Sequence, residues 1–153
     1  MKKVLIAVDD TKGTKKIFGK CVDICSCIGP ETIILVYVEK FEGKSLMTEM
    51  LGDAELSTLE DVLKGTDYQE MLDQKAAKIL GYYQKVLDGK GLFSVKTVVR
   101  KGHPAEEILK VAKKEQAEMI MVGSRGKRTT HLFMGSVSRE VANNAEVPVL
   151  LVK

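Results

Sequence analysis

Apolar residues recur along this chain in two rhythms that replace one another. Residues 4–8 and 32–38 are short apolar runs without a charge, rich in Val and Ile, the pattern of strands buried on both faces. Between them Ile17, Phe18, Cys21, Val22, Cys25 and Ile28 return at helical spacing, with Lys15, Lys16, Lys20 and Asp23 mostly opposite. That predicts a helix over 14–27, stopped by Gly29-Pro30. A second helix is predicted over 67–87, with Asp67 and Glu70 at its start and Met71, Leu72, Ala76, Ile79, Leu80, Tyr83, Val86 and Leu87 inward. A half-alternating strand over 92–100 reads as lying near a sheet edge. Pro104 then opens a helix through Glu115, facing inward with Ala105, Ile108, Leu109 and Ala112. Strands over 119–122 and 147–152 flank a helical pattern over 137–144.

Strands alternating with helices in this way predict one α/β domain over 1–153, a parallel sheet of about five strands with helices on both faces. Residues 39–66, punctuated by Gly43, Gly52 and Gly65, read as a variable connection, with a cover over a site or partner surface as the alternative. In such sheets ligands sit beyond the carboxyl ends of strands, where chain order reverses. Two loops qualify: Asp9, Asp10 and Thr11 after the first strand, and Gly123 onward after the fourth. If those strands are neighbours, the two loops face one crevice.

The second loop carries the strongest chemical signal. Gly123-Ser124-Arg125-Gly126 leaves a strand, and Gly135-Ser136 leads into a helix. Glycines let backbone amides approach an anion, the helix N-terminus adds partial positive charge, and Ser136 adds a hydroxyl donor. A small-molecule nucleotide is the leading ligand on this reading; a plain glycine turn is the alternative. Lys127, Arg128 and His131 would lie in the same loop, either neutralising phosphate or forming a solvated basic surface. Asp9 reads as a ligand contact or a cap for the following helix, and Asp10 as a loop carboxylate that could also stand beside Mg²⁺.

Composition narrows the field. A net charge of +3 and 5% aromatic residues offer neither a basic nucleic-acid footprint nor a base-stacking platform. Lysines interleaved with acids, as at Glu106-Glu107…Lys110 and Lys113-Lys114-Glu115, read as a solvated helix face. No apolar run reaches a membrane span, and the expected location is cytoplasmic. Cys21 and Cys25 share an apolar helix face and read as buried thiols; Cys25-x-Cys27 lacks the redox spacing. His103 reads as a helix-start residue. No metal site is predicted, and no P-loop, nucleophile elbow or general base is visible, so no catalytic residue is assigned and slow ATP hydrolysis is the most that is expected.

Several of these marks occur together in one order. They are Val8-Asp9 closing the first strand, Gly102-x-Pro104 before a helix with Ile108, the strand over 119–122 entering Gly123-Ser124-Arg125-Gly126, then Gly135-Ser136-Val137-Ser138, and a closing strand after Pro148. Together they resemble the universal stress protein family over essentially the whole chain, least over 39–66. The resemblance implies a Rossmann-like sheet in the order 3-2-1-4-5, so that strands one and four adjoin. It also implies a stress-response regulator that binds an adenine nucleotide, ATP or AMP, with or without Mg²⁺. By resemblance Gly123 and Gly126 would line ribose and phosphates, and Gly135, Ser136 and Val137 the phosphate end. Asp9 would contact the ribose or adenine side, the backbone around Val38 the adenine, and Val122 the ribose; Val8 and Asp10 complete the first loop. Family members commonly form homodimers through the fifth strand, here Val149, Leu150, Leu151 and Val152, a segment too apolar to leave as a bare edge. The family pattern has nine residues before the third glycine, whereas only Lys127 to Met134 lie here, eight residues. A same-fold dimeric scaffold that does not bind nucleotide is therefore the alternative.

Overall fold

The computed structural model describes residues 1–39, 67–91, 93–124 and 134–153. In chain order the elements are β1 (Lys3–Ala7), α1 (Lys12–Ile28), β2 (Thr32–Glu39), α2 (Asp67–Asp88), β3 (Ser94–Lys101), α3 (Pro104–Glu115), β4 (Met119–Gly123), α4 (Ser136–Asn144) and β5 (Val149–Val152). The strands form one five-stranded sheet in the order β3-β2-β1-β4-β5. Every neighbouring pair is parallel. The expected fold and strand order are therefore present. The half-alternating β3 is one edge of the sheet and β5 the other.

Alternation along each strand divides the core into two layers. Val4, Ile6, Ile33, Leu35, Tyr37 and Met121 pack with Phe18, Cys21, Val22 and Cys25 of α1 and with Ala76, Leu80, Tyr83 and Leu87 of α2. Leu5, Ile34, Val36, Val38, Ile120 and Val122 pack with Ala105, Ile108, Val111 and Ala112 of α3 and Val141 of α4. Cys21 and Cys25 are buried and Cys27 is exposed; burial raises the Cys21 thiol to about 11 and the Cys25 thiol to about 12, so neither buried thiol is reactive at neutral pH. Met71 was expected inward but is 65% exposed. It falls on the stripe of Lys75, Lys78 and Tyr82, not on the Ala76–Leu80–Tyr83–Leu87 stripe that meets the sheet.

Element ends follow local chemistry. Gly29 closes α1 at φ +68°, its N–H donating to Cys25 O at 2.8 Å, which is the left-handed helix stop that glycine adopts at little cost. α1 begins at Lys12, inside the expected loop, because Thr11 caps it by accepting from the Thr14 N–H. β2 runs one residue past Val38, so that Glu39 is its last, buried residue and not the start of the connection. β5 begins at Val149, two residues later than its apolar run suggested. His103 is the N-cap of α3, as expected of a helix start, and its Nε2 lies 2.8 Å from Glu140 Oε2 of α4.

One part of the supposed solvated face is buried. Glu107 is 7% exposed, with Oε2 accepting from Arg100 Nε at 2.9 Å and Oε1 from Lys110 Nζ at 2.9 Å. Gly102 turns the chain from β3 into α3 beside it at φ +130°, a conformation that side chains rarely adopt. The hydrogen bond from Lys110, then that from Arg100, hold the Glu107 carboxyl below the ordinary glutamate range against the opposing effect of burial. The folded state therefore releases this proton more readily than the unfolded chain. The contribution is present above the ordinary glutamate range, about pH 4 to 5, and is lost as pH falls below it. We expect Glu107→Gln to lower the neutral plateau of the stability profile and to change stability at acid pH less, so that the acid limb flattens, measured by urea unfolding at a series of pH values. An unchanged acid limb would show that other carboxylates govern it.

Candidate functional site

β1 and β4 are neighbours, with Val4, Leu5 and Ile6 opposite Met119, Ile120 and Met121. Carried two residues further, this register brings the chain out of β1 at Val8 beside the point where it leaves β4 at Gly123. The Val8 N–H extends the ladder to Val36 O at 2.9 Å, and the Ser124 N–H ties the end of β4 to Val152 O at 3.0 Å. Both predicted loops thus open on one edge of the sheet. Val8 and Val122 are buried beneath them, and Val38 ends the same row on β2.

Asp9 organises the first loop. Its Oδ1 accepts from the Thr11 N–H at 2.8 Å, the Thr11 hydroxyl at 2.5 Å and the Thr14 hydroxyl at 2.6 Å. Thr11 in turn caps α1 through Thr14 N at 3.2 Å. Asp9 is therefore not itself the cap of α1, which is Thr11; it supports the capping threonine, because two hydroxyls and an amide in a half-buried turn require an acceptor. The Asp9 carbonyl accepts the Tyr83 hydroxyl at 2.7 Å, and the Tyr83 ring, fully buried, lies 4.5 Å from the centroid of Phe18. Asp10 faces Lys75 of α2 at 3.4 Å. Both carboxylates therefore have structural partners on α1 or α2.

The second loop leaves and returns at nearly one point. Gly135 N donates to Ser124 O at 2.9 Å, and the Ser138 hydroxyl donates to Gly135 O at 2.9 Å. Residue 135 is thereby fixed against the end of β4 with the loop at its present length. α4 starts on Gly135, which supplies no side-chain cap, and the first turn holds no acidic residue. The first-turn N–H groups of a helix have no intrahelical acceptor. The N-cap residue offers them no side-chain acceptor, and Ser136 is exposed beside them with Val137 half-buried.

Of the predicted residues, the structure brings Val8, Asp9, Asp10, Val122, Gly123, Gly135, Ser136 and Val137 to one sheet edge, with Val38 on the neighbouring strand. Gly126, Lys127, Arg128 and His131, like most of the 39–66 connection, lie outside the described residues. Val149, Leu150 and Leu151 are half-buried on the β5 edge strand, while Val152 is already buried against the α1 side of the core. Sequence reasoning did not assign the supporting roles of Thr14, Lys75 and Tyr83. Thr14 carries the one available signal, a hydroxyl residue three positions beyond a capping threonine.

This architecture is that of a parallel, doubly wound α/β protein in which the chain leaves the neighbouring strands β1 and β4 at one edge of the sheet. The chain belongs to the universal stress protein family, whose family model matches residues 1–153. It is 30% identical over 156 residues to universal stress protein MJ0577 of Methanocaldococcus jannaschii, covering 99% of this chain and 94% of that protein. The solved structure of MJ0577 superposes with a TM-score of 0.76 at 26% identity, over 99% of this chain and 95% of that one. A universal stress protein family protein of Arabidopsis thaliana solved with AMP bound shares the fold, with a TM-score of 0.66 at 20% identity over 100% of this chain and 92% of that one. So does the universal stress protein of Archaeoglobus fulgidus in complex with dAMP, with a TM-score of 0.63 at 17% identity over 100% of this chain and 98% of that one.

The Tyr83 hydroxyl gives a direct test of how the first loop is held. Tyr83→Phe keeps the ring against Phe18 and leaves the Asp9 carbonyl without its donor. We expect a stability loss of about 1–2 kcal/mol and faster amide exchange at Asp10 and Thr11, read by denaturant unfolding and hydrogen exchange. Unchanged exchange would mean that the threonines alone hold the loop.

Proposed function

We propose that this protein is a regulatory adenine-nucleotide binder whose site is the crevice between the loops after β1 and β4. The observation that carries the reading is the start of α4. A helix N-terminus on Gly135, without a side-chain cap, is hydrogen-bonded to the end of β4, beside the strand β1 that leads into Asp9. Phosphate would lie on the amides of Ser136 and Val137 with the Ser136 hydroxyl beside them, and Gly123 would admit the ribose close to the backbone. Asp9 commits Oδ1 to α1, and Oδ2 has no hydrogen bond among the described residues, which suits a ribose or base donor. The backbone at Val38 would border the adenine. The relatives with AMP and dAMP support the ligand class. The anchoring of Gly135 favours this reading over a scaffold with a damaged loop. Cytoplasmic stress regulation is the corresponding role.

Titration calorimetry with ATP, ADP and AMP, with and without Mg²⁺, tests the proposal; no heat at millimolar nucleotide would remove it. Asp9→Ala is expected to weaken binding by about 1.5–3 kcal/mol, the worth of a hydrogen bond to a charged group. It should also destabilise the fold, since Thr11 and Thr14 lose their acceptor. Asp9→Asn, which keeps an acceptor oxygen, should recover much of the stability and less of the affinity. Equal affinity in all three proteins would place the ligand elsewhere.

The same reading includes a homodimer. β5 ends the sheet with Val149, Leu150 and Leu151 half-buried, an edge of low polarity that a second copy would cover by two-fold pairing. Sedimentation velocity should give a dimer that Leu150→Lys dissociates. A wild-type monomer at all concentrations would exclude it.

A further inference from the structure

A groove lies on the other half of the sheet, between α2 and the edge strand β3. It has a volume of about 450 Å³, with Ala76, Leu80 and Gly81 of α2 and Val99 of β3 as walls and Glu39 and Asp73 among its lining. Its elements are separated from the β4 loop by β1, so it is a different place from the crevice described above. Glu39 is the anomaly. Its side chain is 2% exposed, yet neither carboxylate oxygen has a hydrogen-bond partner among the described residues. Lys101 Nζ stands 3.8 Å from Oε2, beyond hydrogen-bond reach. Asp73 and Gln69 of α2 stand close enough to act on it, Asp73 raising its proton affinity and Gln69 lowering it. A buried carboxylate without donors is costly to keep, and each of its oxygens can accept more than one bond.

We propose that this groove binds a short alkyl ammonium compound, with the ammonium group between Glu39 and Asp73 and the alkyl chain along Ala76, Leu80, Gly81 and Val99. Two carboxylates exclude an anion. They are also too few for a divalent cation, which takes six or more oxygen ligands and gains nothing from apolar walls. An ammonium has three donors and no acceptor, the complement of an unpaired carboxylate. The volume falls in the range of small-molecule sites, which are mostly apolar with a few placed polar groups. Burial holds the Glu39 carboxyl above the ordinary range, with Lys101 opposing from 3.8 Å, which agrees with a group whose ion pair among the described residues is a long one.

The test is an amide-shift titration of the full chain with 1-pentylamine and, separately, with 1-pentanol, which has the same chain and no charge. Saturable shifts at Glu39, Ala76, Gly81 and Val99 are expected with the amine, at least about tenfold weaker with the alcohol, since about 1.4 kcal/mol separates them for each factor of ten. Glu39→Gln should weaken the amine about tenfold or more, and Glu106→Gln, an exposed acid on α3, should not. Gly81→Leu supplies a second arm. A side chain there has open space, with nothing within 4 Å of its Cβ, so it would fill the groove while leaving the Glu39 carboxylate in place. It too should abolish the shifts, with thermal unfolding showing that both variants fold. Four results would overturn the proposal: no saturation at about 10 mM, where weak fragment-sized ligands still register; equal binding of alcohol and amine; full binding by Glu39→Gln; or shifts confined to Asp9 and Gly123.

Discussion

The burial of β1 is the constraint on which the rest of this fold depends. Val4 and Leu5 are fully buried and Ile6 nearly so, and the strand is hydrogen-bonded on one side to β2 and on the other to β4. A parallel strand in that position needs cover on both faces, and only helical crossovers can supply it. α1 and α2 cover the face of Val4 and Ile6, and α3 and α4 that of Leu5. Because the strands are parallel, all their carboxyl ends emerge on one edge. The two central ones, β1 and β4, deliver Asp9 and Gly123 to neighbouring places. The meeting of these two chain exits is thus a consequence of how the core is buried. What varies is the chemistry of the residues placed around it.

The first loop illustrates how a polar site is made rigid at the end of a buried strand. Four donors converge on Asp9: three on one carboxylate oxygen and the Tyr83 hydroxyl on its carbonyl. Through them the start of α1 and the middle of α2 are joined to the residue after Val8. A loop held from two helices loses little freedom when a ligand arrives, which is the usual advantage of a preorganised site. The second loop has its own anchor, the Gly135–Ser124 hydrogen bond, which spans ten intervening residues. That bond explains how a tether one residue shorter than the family pattern can still start α4 against the end of β4: the ends are set by the strand and helix, and loop length is absorbed between them.

Much of this architecture is legible in the chain itself. Unbroken apolar runs gave β1 and β2, helical stripes gave α1 and α3, and the half-alternating third strand read correctly as an edge. Strand order was not legible from periodicity. The resemblance carried by Val8-Asp9, Gly102-x-Pro104 and the Gly123 loop supplied it. What stayed hidden depends on tertiary distance. Nothing in the Glu106-Glu107…Lys110 spacing distinguishes a solvated acid from a buried one; that is decided by Arg100 on the preceding strand. Tyr83 read as an apolar core residue because its hydroxyl partner lies 74 positions away. Glu39 read as the start of a loop because a charge after Val38 is the ordinary mark of a strand end, and only the α2 contact shows it to be inside.

Glu39 and Glu107 make the physical point most directly. Glu39 ends β2 and Glu107 lies in the first turn and a half of α3, and both are largely removed from solvent, at 4% and 7% exposure. Burial alone raises the proton affinity of each. Glu107 goes the other way because Lys110 and Arg100 both reach it at 2.9 Å, and two charge-assisted hydrogen bonds outweigh the loss of water. Glu39 has one cation at 3.8 Å and no hydrogen bond among the described residues, so burial prevails. The difference between a stabilising acid and a costly one is less than one ångström of approach by a lysine. Glu107 is complete within the chain and works as an internal clamp between β3 and α3. Glu39 has the same chemistry with the donors missing, at the wall of a groove large enough to admit them.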